Sequence, residues 1–212
     1  MDLALAQQAR THQLGLRAVV LQQAVALWPA LDVNQLDVTF PTYALAAGSL
    51  AARGHSASTA LATSYLRAAW AASGRAGTPA LVTPPTLPLE QIVTALRVTS
   101  VVAVKAAIGS GQTPADAMAT GLVSSSGAIG RLALLGGRDT IVQSVRAQPQ
   151  ARWERITSAT PCDFCAMLAD RGEVYRSEET ADFEAHDHCG CSAAASYDDV
   201  TDSQSEPAPQ EG

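Results

Sequence analysis

ARWERITSATPCDFCAMLADRG, Ala151 to Gly172, is where the chain changes character. Upstream, apolar residues recur every three or four positions. Within Arg152–Thr157 (RWERIT) they alternate instead, which predicts a strand of about six residues rather than more helix. Immediately afterwards comes Cys162-x-x-Cys165, the first half of all the chain's cysteine content. The break divides the sequence into a helical body over 1–150, a small cysteine and histidine module over 151–197, and an acidic tail over 198–212 with almost no apolar residues, expected to be disordered.

Working back from the break, the 212 residues are 47 % hydrophobic but only 5 % aromatic, the apolar share being mostly Ala, Leu and Val. Such a composition favours helices packed closely through small side chains. Leu14, Ala18, Leu21, Val25 and Trp28 mark one helix from Leu3 that stops at Pro29. A second spans Tyr43–Ala72, with Tyr65, Leu66, Ala69 and Trp70 on its apolar face; Gly54 interrupts it, so two helices are open there. Ser73–Pro88 is dense in Gly and Pro and excludes regular structure. Helix resumes over Leu89–Ile108 (Ile92, Leu96, Val101, Val104). Thr113 then supplies an N-cap, with Pro114 in the first turn and Asp116 at the capping-box position. Gly127 and Gly130 put that helix's continuity in question, and GGRDTIVQSVRAQP supplies one more helix ending at Pro149. The fold class expected is mainly α.

Working forward, Cys162 and Cys165 are followed after 20 residues by His186, His188, Cys189 and Cys191, so that four cysteines share a 30-residue window. GEVYRS and CSAAASY are read as two further short strands. A CxxC turn presents two thiolates to one ion, and a tetrahedral zinc site needs two more nitrogen or sulfur ligands. HDHCGC offers four candidates for those two places; His186 with Cys189, and His188 with Cys191, each repeat the two-residue spacing. A disulfide framework is the competing explanation, weakened by the expected cytoplasmic synthesis: MDLALAQQARTH has no basic leader region. No apolar run approaches the roughly 20 residues of a membrane span.

Several catalytic readings fail on their own requirements. Thioredoxin-like chemistry needs a βαβ setting around CxxC. PCDFC matches half of the zinc deaminase signature, but neither upstream histidine, His12 or His55, is followed by the required glutamate. There is no Walker loop or dinucleotide fingerprint. The carboxylates Glu173, Glu178, Glu179, Asp182 and Glu184 read as a solvated run. Residues 1–160 hold 12 basic and 7 acidic side chains, and residues 161–212 hold 2 and 13, so a net charge of −6 splits into +5 and −11. Neither part clusters Lys and Arg as a sequence-reading DNA binder does.

The two cysteine segments, ATPCDFCAMLADRGEVY and AHDHCGC, resemble the C-terminal module of the Mu-F-like minor head proteins of tailed phages. In that family a CxxC is followed about 20 residues later by His-Pro-Asn-Cys-Arg-Cys. His186, Cys189 and Cys191 match, while Asp187, His188 and Gly190 stand in the intervening places, His188 being an additional histidine. GGRDTIVQSVRAQP…RWERITSATPC also resembles the lead-in in phages of high-GC actinobacterial hosts, which the Arg-over-Lys bias and abundant Ala fit. The resemblance covers residues 136–197. It implies a non-enzymatic minor capsid protein, made in the bacterial cytoplasm and placed inside the head near the portal vertex. Its partners would be the portal or the major capsid protein, with contact to packaged DNA left open and no membrane involved. The candidate metal ligands are then Cys162, Cys165, His186, His188, Cys189 and Cys191, with zinc as cofactor. The alternatives are a zinc-dependent hydrolase or nuclease, or a host regulatory protein with a zinc-ribbon interaction domain.

Overall fold

The computed structural model describes residues 1–157, 161, 163–170 and 186–197. Within them the chain is mainly helical, with two short antiparallel strands beside a Cys/His cluster. Helix α1 runs Leu3–Leu27, capped by the Asp2 side chain accepting from the Leu5 amide, and gives way at Pro29 to a 3₁₀ turn, Trp28–Ala30. Helix α2 is Leu36–Ala72, α3 is Leu89–Arg97, α4 is Ala103–Gly109 and α5 is Pro114–Ala147. Strand β1 (Arg152–Ile156), the short helix α6 (Asp163–Ala169) and strand β2 (Ser192–Ser196) complete the order.

Two expected breaks are absent. Helix α2 continues through Gly54, because that glycine is a notch: a Cβ there would stand 2.6 Å from the Ala133 Cβ on α5. The GGRD helix is not separate either, since α5 passes unbroken through Gly127, Gly130, Gly136 and Gly137 for 34 residues. The propensity deficit of each glycine, about 1 kcal/mol, is outweighed by the close approach it allows. At Gly136 a Cβ would strike the His55 carbonyl of α2. The Thr113 cap is as expected: its Oγ1 accepts from the Asp116 amide and donates to the Asp116 carboxylate.

On α1 the predicted apolar face is turned from the observed one. The buried residues are Ala6, Gln13, Val20 and Ala24, while Val25 is exposed. Gln13 explains the offset, because a polar residue faces the core there. Its amide donates to the Ser58 carbonyl and accepts from Ser58 Oγ, which in turn accepts from the Gly137 amide. Between α3 and α4, Val98–Val102 forms a π-helical turn that takes up the five-residue step from Leu96 to Val101, so that Ile92, Leu96, Val101 and Val104 all stay buried.

By length and composition, Leu89–Gly109 and Pro114–Ala147 are each apolar enough to cross a membrane, although interspersed polar residues break up the apolar run in both. For α5 the apolarity has a local explanation, because this helix lies against α1, α2 and α4 as the spine of the core.

Helices α2 and α5 run side by side through two apolar clusters. The first joins Val20, Trp28, Tyr43, Leu50, Leu96, Val104, Ile129 and Leu132. The second joins Tyr65, Leu66, Trp70, Ile141, Val142 and Val145 of the helices to Trp153, Ile156, Cys165, Cys189, Cys191 and Tyr197. Body and module therefore share one core. Strands β1 and β2 pair antiparallel, with Trp153 opposite Ala195 and Ile156 opposite Ser192. A two-stranded sheet is unstable alone, and here α2 closes the free edge of β2: the Tyr65 hydroxyl accepts from the Ala195 amide at 3.0 Å and donates to its carbonyl at 3.3 Å. The expected strand RWERIT is β1 and CSAAASY contains β2. GEVYRS and the acidic tail lie outside the described residues.

Candidate metal centre

Helix α6 places Cys165 inward, 2 % exposed, with Asp163 in its first turn. The opposing ligands come from the turn that precedes β2. There the Cys189 amide donates to the His186 carbonyl at 3.1 Å, closing a tight turn with His188 at a φ of 65°. This brings Cys165 Sγ, Cys189 Sγ and a His186 ring nitrogen within 4.8 Å of one another.

The spacing can be compared with that of a bound ion. Zinc–sulfur bonds of about 2.3 Å at a tetrahedral angle put two sulfurs about 3.8 Å apart, and a sulfur and a nitrogen about 3.6 Å apart. The Cys165–Cys189 sulfurs are 3.7 Å apart, and Cys165 Sγ lies 4.0 Å from His186 Nε2. No disulfide joins Cys165, Cys189 and Cys191 to one another. The His186 Nδ1 lies 2.8 Å from the Asp187 carbonyl, so a proton held on Nδ1 leaves the Nε2 lone pair facing the thiols, the usual outer-shell device of a ligating histidine. Soft thiolate and imidazole donors in this arrangement fit zinc or a comparable thiophilic ion.

Of the six candidate ligands, Cys165, His186 and Cys189 are gathered. Cys191 is buried beside them, its thiol interacting with those of Cys189 and Cys165. Cys162 lies outside the described residues, as do Glu173, Glu178, Glu179, Asp182 and Glu184. His188 is used differently. Its imidazole packs on α5 at Gly127, where a Cβ would come 2.5 Å from Nε2, and its carbonyl accepts from Arg17 at 3.3 Å.

Electrostatics favour an anionic centre. The Cys189 thiol is pulled down to about 4 by hydrogen bonding from Cys191 and Cys165 and by the charge of Arg138, against the opposing effect of burial. Cys191 is pushed up, chiefly by its hydrogen bond to Cys189 and then by burial.

Sequence reasoning missed the arginines that seat this turn. Arg131 pairs with Asp187 at 2.8 Å. Arg138, 3 % exposed, donates to the carbonyls of Cys189 and Cys191. Gly127, Arg131 and Arg138 lie 4 and 11 residues along α5, hence on one helical face. The available signal was an arginine embedded in the apolar stripe Leu134–Arg138–Ile141–Val145.

A family model described as VG15 protein matches residues 2–210. The chain belongs to the VG15 protein family. The family is phage-associated, so the chain reads as a bacteriophage protein, without the match singling out the Mu-F-like minor head proteins. The VG15 match spans body and module together. No curated protein and no solved structure matches the chain.

Proposed function

We propose that this VG15 protein is a non-enzymatic structural component of the phage head: a minor capsid or head-morphogenesis protein acting at or near the portal inside the virion, with zinc stapling its C-terminal module. The observation that carries this reading is the burial of the centre's three described thiols in the core of the fold, with His186 on the exposed side. Cys165, Cys189 and Cys191 are 2 %, 6 % and 4 % exposed and share a core with the helices. A structural zinc is part of the fold it holds, which thiols shared with the helical core support. The nearest carboxylate among the described residues of the turn, Asp187, is held by Arg131 and is not free to serve as a general base. The resemblance of His186-x-x-Cys189-x-Cys191 to the Mu-F-like module supports the head assignment, and the portal and major capsid protein are the partners we propose.

The direct test is twofold. Protein purified without chelator should carry about one zinc per chain, lost in Cys165→Ser. Co-expression with the portal protein of the same phage should give a complex, and the chain should be found in purified virions. Absence from virions would end the head reading. Zinc-dependent turnover of a phosphodiester or peptide substrate that disappears in Glu184→Gln but survives in Glu178→Gln would replace it with the hydrolase.

A further inference from the structure

We propose that Arg138 is a positioning residue for the metal centre: from α5 it holds the Cys189–Cys191 turn in ligating geometry and balances the negative charge of the metal–thiolate group. The inference rests on the zinc-centre reading above and assigns a helical-body residue to that site.

Two observations carry it. The guanidinium is buried, and its Nη2 reaches the Cys189 carbonyl at 3.0 Å and the Cys191 carbonyl at 3.0 Å, with Nε on the Cys191 carbonyl at 3.2 Å. Both acceptors belong to candidate ligand residues, so the fork spans the turn that aims their thiols. The second observation is chemical. With Cys191 as a third thiolate beside Cys165, Cys189 and His186, a divalent ion leaves one net negative charge, and such a charge among buried groups is costly unless a counter-charge is buried with it. A lysine could supply the charge but not the planar fork. Arg131 on Asp187 and Arg17 on the His188 carbonyl seat the same turn from outside, at partly exposed positions. Arg138 alone of the three reaches the ligand residues themselves.

The test uses the full chain as wild type, Arg138→Met and Arg138→Lys. Zinc affinity is read by competition with a chromophoric chelator, cobalt(II) is substituted to report the thiolate charge-transfer bands, and the thermal midpoint is taken with and without zinc. Arg138→Met should bind zinc about 10–100-fold more weakly, the usual effect of losing an outer-shell partner, and its zinc-dependent rise in midpoint should shrink. Arg138→Lys should recover part of both while keeping the cobalt–thiolate bands. Affinity in Arg138→Met within about twofold of wild type overturns the proposal. So does an equal fall of the zinc-loaded and zinc-free midpoints at unchanged affinity, which would make Arg138 an ordinary core residue. Failure of Arg138→Lys to fold even in saturating zinc counts the same way, because the retained charge should be held by the centre. Wild-type protein that takes up neither zinc nor cobalt would instead refute the metal centre, and this inference with it.

Discussion

Replacing Trp153 by alanine tests whether the helical body and the cysteine module are one cooperative unit. The indole is 1 % exposed on β1 and sits opposite Ala195, whose backbone is held by the Tyr65 hydroxyl of α2. It belongs to one buried cluster with Tyr65, Leu66, Ile141, Val142 and Val145 from the helices and the three described cysteines from the module. Deleting a buried indole removes its transfer free energy and leaves a cavity, together about 3–5 kcal/mol. In a chain of this length each kcal/mol lowers the thermal midpoint by about 2–4 °C, so a fall of about 6–20 °C is expected. The decisive point is which signal reports it. With a shared core, the far-ultraviolet helical signal should melt in a single transition at the lowered temperature, and zinc affinity should fall with it. Trp28→Ala is the control: Trp28 packs edge-on against Tyr43 at 5.6 Å in the other cluster, so it should destabilise comparably while the folded protein binds zinc as before. A Trp153→Ala protein whose helices melt within about 2 °C of wild type, with metal binding alone impaired, would refute the shared core.

Ser58→Ala should cost about 1–3 kcal/mol in urea unfolding, more than an isolated serine would, because Gln13 Oε1 and the Gly137 amide both lose their buried partner. Gly136→Ala should destabilise by about 1–3 kcal/mol despite alanine's better helix propensity, since the new Cβ meets the His55 backbone carbonyl; a gain in melting temperature would contradict the close α2–α5 approach. Alkaline pH should unfold the chain. Burial raises Tyr43 and Tyr65, and raises Tyr197 to about 12. Groups raised in the fold contribute stability below the unfolded value of about 10 and lose it as pH climbs toward the folded one. Tyrosinate absorbance from these three should therefore appear together with loss of helical signal; its appearance in the folded protein near pH 10 would show that they are accessible.

Local signals carried most of the architecture. The Thr113 cap, the stop at Pro29, the irregular Ser73–Pro88 segment and the change of period at Arg152 depend on residues within a turn or two of one another, and all four stand in the structure. What misled was glycine. Gly54, Gly127 and Gly130 look like breakers along the chain, but at Gly54 and Gly127 the reason for having no side chain is a partner far off in sequence, Ala133 and His188. The same distance hid the role of His188. As a residue in a metal-ligand spacing it competes with His186, and only the left-handed turn that swings its ring onto α5 separates them. The cysteine spacing pointed to a Cys/His cluster, and Cys165, His186 and Cys189 do lie together, but the arginines that seat it lie more than 50 residues upstream, where spacing rules have no reach.

Helix α5 is a continuous strut of 34 residues, about 51 Å long at 1.5 Å per residue. At Gly54, Gly136 and Gly137 it meets α2 through backbone and small side chains with almost no rotamers to rearrange, so a sideways load at those points meets backbone rather than compliant side chains. The cysteine turn is bolted to this strut at Gly127, Arg131 and Arg138, a footing about 17 Å long. A pull on the turn is thereby delivered along the helix to its far end at Thr113 and sideways into α2, and is not absorbed in a hinge between head and body.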